Sequence, residues 1–111
     1  MYDTKLHDRS SAAFIDALRV LEMSWETQLP PDSQIAIYVL LPNRKELRLS
    51  VISEQGFNGV LIEGYDENGE QCVLIAHQAT LQFFCKVENV TPDRPKRQIG
   101  FDAHPLPSKE P

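Results

Sequence analysis

Two short segments hold the residues whose types and spacing suit molecular recognition. Gln55-Gly56-Phe57-Asn58 sets an aromatic ring and an amide just ahead of an apolar run, and His77-Gln78 closes another apolar run with an imidazole and a second amide. If the two run ends meet in space, Phe57 offers a stacking face while Asn58, His77 and Gln78 offer donors and acceptors to a nucleobase edge. The same residues fit a plainer arrangement, which spacing alone favours: Phe57 in the core, Asn58 in a turn and His77 satisfied at a strand end. Catalysis has little support. A nucleophile needs a base and an orienting acid around it, yet His7, His77 and His104 are scattered along the chain. A Gly-rich phosphate loop, an HExxH motif, a calcium loop and a paired-cysteine zinc spacing are all missing from the sequence, so neither a cofactor nor a metal is expected.

Charge narrows the reading further. The chain has 111 residues with 11 Lys and Arg against 16 Asp and Glu, a formal charge of −5. Such a balance argues against holding nucleic acid by bulk positive potential, so any contact with it must be local. Arg44, Lys45 and Arg48 form one basic cluster, and Arg94, Lys96 and Arg97 form another. Either would suit a phosphate, although solvation is the commoner role of such groups. Glu63, Asp66, Glu67 and Glu70 do not match the spacing of a calcium loop and fit a charged hairpin tip instead. Cys72 and Cys85 sit in apolar stretches and are expected to be reduced core thiols. No apolar run approaches the ~20 residues of a membrane span and the first residues lack a signal-peptide pattern, so a cytoplasmic location without membrane contact is expected.

The elements that must position these groups follow from periodicity. Residues 1–9 are polar and are expected to fray as a flexible N-terminus. A helix is predicted over about 10–28, capped by Ser10 or Ser11, with Phe14, Leu18, Leu21 and Trp25 on one face and Pro30-Pro31 ending it. Alternating, β-branched runs then predict five strands at 35–40, 47–52, 58–65, 70–76 and 81–87. Pro42-Asn43 and Asn68-Gly69 supply turns. The fifth strand, with Leu81, Phe83, Phe84, Cys85 and Val87, is apolar on both faces and predicts a covering partner. Residues 92–111 hold five of the eight prolines and read as a flexible tail. The fold class is therefore mainly β, an N-terminal α-helix followed by a strongly bent five-stranded antiparallel sheet closing into a small barrel over residues 10–91.

At these residues the chain resembles the Sm-like superfamily and its bacterial Hfq-like branch. Phe14-Ile15-Asp16-Ala17-Leu18 is similar to the family's helix motif, and Ile37-Tyr38-Val39-Leu40 to its first strand. Phe57-Asn58-Gly59-Val60-Leu61-Ile62 resembles part of the first Sm motif, and Leu74-Ile75-Ala76-His77-Gln78-Ala79-Thr80 falls where the second would lie. Thr91-Pro92-Asp93-Arg94-Pro95 is similar to the segment after the barrel. The resemblance implies an SH3-type small barrel, with the fourth strand of one copy pairing with the fifth of the next to close a homo-oligomeric ring. It further implies single-stranded RNA held near the pore by Phe57 and His77, with Gln55, Asn58 and Gln78 alongside, and Tyr38 serving adenine-rich RNA on the opposite face. Departures are visible: Ala76 stands where the family has Lys, the helix lacks an Arg-rich patch, the strand 47–52 has no glycine, and the third hairpin is longer. The implied activity is RNA chaperoning or post-transcriptional regulation without catalysis, with Arg94, Lys96 and Arg97 adding a salt-sensitive contact. The alternatives are an acidic Sm-fold adaptor or inhibitor that binds a protein, similar in outline to the Rho-inhibiting protein Rof, or a phage- or plasmid-type divergent relative with another ligand.

Overall fold

Ser10 opens the first element. In the computed structural model, which describes residues 10–102, its side chain accepts the Ala13 N–H at 3.2 Å, and α1 runs over Ser11–Glu26. The helix is pinned at its start, where the buried Ser11 donates its N–H to the Phe57 carbonyl at 2.6 Å and its hydroxyl to the Gly56 carbonyl at 2.8 Å. Ile15, one turn on, is fully buried, and Phe14 and Leu18 pack beside it. The apolar stripe expected from sequence holds only this far. Leu21 and Trp25 are about half exposed, because beyond Leu18 the inward line of the helix continues through Glu22 and Glu26 and faces the chain's C-terminal segment.

Five strands follow: β1 (Ser33–Leu40), β2 (Glu46–Gln55), β3 (Gly59–Tyr65), β4 (Gln71–His77) and β5 (Gln82–Asn89), all paired antiparallel in the order β4-β3-β2-β1-β5. Their inward residues Ile35, Ile37, Val39, Leu47, Leu49, Ile52, Val60 and Ile62 join Ile15 in one core. Each such side chain contributes about 1.5–3 kcal/mol by leaving water. β2 carries the bend. Its register against β3 slips between Leu49 and Val51, and its pairing with β1 covers only residues 46–48. The glycine that permits close approach lies on β3 rather than β2: a Cβ at Gly64 would overlap the Arg48 carbonyl oxygen. In the β3–β4 hairpin the Asp66 carboxylate accepts the N–H groups of Asn68 and Glu70, both at 2.9 Å, and Gly69 takes a φ of +81°.

Two expectations need correction. The fifth strand is not left with bare apolar side chains for a neighbour to cover. Leu81, Phe83 and Cys85 pack against the chain's own core, Phe83 with its ring 5.6 Å from that of Phe14, while Phe84 lies on Tyr38. Only Val87 among the five is more than half exposed.

The proline-rich segment is likewise not a free tail from residue 92. Thr91 and Arg94 close a turn, and the buried Gln34 amide then grips the passing backbone, donating to the Pro95 carbonyl at 3.3 Å and accepting the Arg97 N–H at 3.0 Å. Residues Gly100–Asp102 form β6, parallel to β2 at residues 51–53, on the edge that β1 has left. The rest of the expected tail, 103–111, and the expected N-terminal arm, 1–9, lie outside the described residues. β4 and β5 do not pair with each other, so the sheet is bent but not closed. Both cysteines are free, and no helix among the described residues is long and apolar enough to cross a membrane.

Candidate functional site

The two strand ends do meet. Gly59 at the start of β3 is the register partner of His77 at the end of β4, and the Gln78 N–H donates to the Asn58 carbonyl at 2.9 Å. Asn58, His77 and Gln78 form one wall of an open groove of about 1240 Å³, whose other wall is the α1 face carrying Ala13, Ala17 and Leu21. A single backbone turn fixes the imidazole. His77 Nδ1 accepts the Ala79 N–H at 3.0 Å, which requires the neutral ring to carry its proton on Nε2 and leaves that N–H as a donor. Among the described residues Asp16 is the one formally charged residue lining the groove, and the others there are apolar or neutral polar.

Phe57 stands outside the core, 67% exposed at the tip of the β2–β3 turn. Its backbone is held by Ser11 of α1, so the ring is presented from a fixed loop next to exposed Asn58. Gln55 pairs with Gly59 across the base of the same turn and is exposed. Five of the six residues marked for base recognition therefore gather at one end of the sheet. The plainer arrangement fails for Phe57 and holds for the Asn58 turn and the His77 strand end.

Tyr38 is elsewhere and is committed. Its hydroxyl donates to Glu88 Oε2 at 2.6 Å, its ring stacks on Phe84 with centroids 5.4 Å apart, and Lys86 Nζ sits 4.9 Å above it. Arg48 Nη2 approaches Glu88 Oε1 at 3.0 Å, an ion pair without hydrogen-bond alignment, and Arg94 Nη1 lies 3.5 Å from Oε2. Glu88 is nearly buried, and its carboxylate gathers Tyr38, Arg48 and Arg94 into one network. Burial, then the hydrogen bond and charge of Glu88, push the Tyr38 phenol above its ordinary value. Arg48 thus spends its charge inside the fold, Arg94 stays largely exposed beside the same carboxylate, and Lys96 lies 4.0 Å from Glu26. Arg44 and Lys45 remain exposed at the β1–β2 turn, where Arg44 adopts a left-handed φ of 67°.

Sequence reasoning missed Gln34, Glu88 and the Glu22–Glu26 pair. Glu22 and Glu26 line a second cleft of about 710 Å³ against Lys96, Ile99 and Phe101. The signal available for the pair was an i, i+4 repeat of like charge, a destabilising spacing unless something compensates it. Among the described residues no group of three or more His, Cys, Asp or Glu is placed to hold a metal ion. No family model, curated protein or solved structure matches the chain.

Proposed function

We propose that this chain is a nonenzymatic Sm-like ring protein that binds single-stranded RNA through stacking and base-edge hydrogen bonds. The observation that carries the reading is the strand order, in which β4 and β5 are the two ends of the sheet and neither has an outer partner strand among the described residues. An edge of seven residues and another of eight on opposite ends of one chain are matched in length, and head-to-tail pairing of such edges generates a ring when the rotation closes. Val73 and Ile75, 61% and 64% exposed beside the β4 edge, would be covered by that pairing. His77 ends β4, so each joint carries the groove with Asn58, His77 and Gln78 beside it.

RNA would meet Phe57 by stacking and the Asn58, His77 and Gln78 groups by hydrogen bonding, at a cytoplasmic ring face. The test is native mass determination with and without short uridine-rich or adenine-rich oligonucleotides. A closed multimer that takes up oligonucleotide, and loses it without losing mass in Phe57→Ala with His77→Ala, is the expected outcome. A monomer at micromolar concentration overturns the ring, and a ring that binds neither oligonucleotide at low salt overturns the RNA reading.

One observation favours a second reading, an acidic adaptor for another protein. Val20, Leu21, Met23 and Trp25 are each about half exposed on α1, apolar area of the kind that marks protein-binding sites. Association with a protein that shields Trp25 while oligonucleotides leave it untouched would select this reading.

A further inference from the structure

After β5 the chain turns back and crosses the molecule on few attachments. The Gln34 amide holds Pro95 and Arg97, Arg94 and Lys96 reach Glu88 and Glu26, Ile99 and Phe101 rest on the core, and β6 adds three parallel rungs. This segment meets α1 at β6 and leaves a 710 Å³ cleft beside that contact. Segments held by few buried contacts open locally at much less cost than the core.

We propose that residues 91–102 form a releasable strap whose docking over the Glu22–Glu26 pair is set by pH, and whose release opens the β2 edge at residues 51–53 and frees Arg94 and Lys96 for an anionic partner. The cleft geometry carries the first half. Two carboxyls one helical turn apart face a docked, partly apolar segment, where both cannot ionise without cost. The other charged or titratable groups around Glu22 are Arg19, already held by Asp16 at 2.6 Å, Lys96 and Arg97 from the strap, and Cys85 from β5. Burial first, then the hydrogen bond and charge of Glu26, push the Glu22 carboxyl up to about 7.

The direction of the pH effect follows. Glu22 holds its proton more tightly with the strap docked than with the cleft open to water, where it returns toward the ordinary carboxyl range. Docking is therefore strongest at acidic pH and loses this contribution as pH rises through about 7. Between pH 6 and 8 the docking constant falls by at most about tenfold from this group, since the contribution of Glu26 stays on the helix when the strap leaves.

Amide hydrogen exchange on the full chain tests the proposal independently of any RNA. Protection factors, corrected for intrinsic exchange, are measured for residues 98–102 at pH 6 and pH 8, with the Ile37 and Ile62 amides as monitors of the core. Wild type is expected to lose up to about tenfold protection over the strap at pH 8, while the core amides stay far more strongly protected than the strap at both pH values, so that the strap opens without global unfolding. Glu22→Gln, which mimics the protonated carboxyl, is expected to keep its protection at both pH values. Strap protection that is equal at the two pH values in wild type, or that falls equally in Glu22→Gln, overturns the proposal. Should Glu22→Gln lose core protection, Glu26→Gln serves instead: a smaller pH response supports the strap, and an unchanged one overturns it.

Discussion

Glu88 decides what several other residues can do. One nearly buried carboxylate takes the Tyr38 hydroxyl, the Arg48 guanidinium and an outlying contact from exposed Arg94, so an aromatic and a cation that suggest RNA by type are structural by position. Glu88→Ala should cost about 1–3 kcal/mol in urea unfolding, since it leaves the Tyr38 hydroxyl without its acceptor and the Arg48 charge without its partner. The Tyr38 phenol, held protonated by burial and by Glu88, stabilises the fold below the ordinary tyrosine value and loses that contribution as pH rises through its raised one. An ultraviolet titration should accordingly show a late tyrosine component from Tyr38 that moves earlier in Glu88→Gln. Gly64→Ala should cost about 1–3 kcal/mol, because the added methyl meets the Arg48 carbonyl and backbone must shift to admit it. None of this was legible in the sequence for a simple reason. Glu88 lies one residue past the point where the apolar alternation of the fifth strand stops, and Gln34 one before that of the first begins, yet the two are register partners.

At the scale of elements, most of the sheet could be read in advance. All five strands fall within a few residues of their expected places, because alternation and turn residues such as Asn68-Gly69 are local signals. The Ser10 cap is also local; Ser10→Ala should cost about 1 kcal/mol, measured by thermal unfolding of far-ultraviolet dichroism. β6 could not be read this way. Three residues carry no period, and what holds them is a neighbour far away in sequence. The helix stripe was half right for a related reason: periodicity marks an amphipathic face but not where the surface beneath it ends. The two sheet ends make a sharp prediction. Ile75→Lys places a charge on an already exposed position of β4, so it should change monomer stability by less than about 0.5 kcal/mol while reducing any assembly seen by light scattering to monomer.

The whole molecule carries −5, and among the described residues no lysine or arginine lines the groove with Asn58, His77 and Gln78. A protein that contacts six to ten phosphates loses about 10³- to 10⁵-fold in affinity between 50 and 200 mM salt. Oligonucleotide binding at this groove, resting on stacking and hydrogen bonds, should change by less than about threefold over that range in a fluorescence anisotropy titration. The joining of Gln55, Phe57 and Asn58 with His77 and Gln78 was the part of the candidate site that sequence could suggest, since one segment opens an apolar run and the other closes one. Sequence could not say that Phe57 would point outward, because the turn that carries it is held through its backbone by Ser11, far away in sequence.

Trp25 is the chain's sole tryptophan, and about half of it meets water near the end of α1. Its indole emission is therefore an intrinsic, label-free signal from one known spot. A blue shift on mixing reports that something has settled on that side of the helix, and a spectrum that stays put directs attention to the opposite end of the protein.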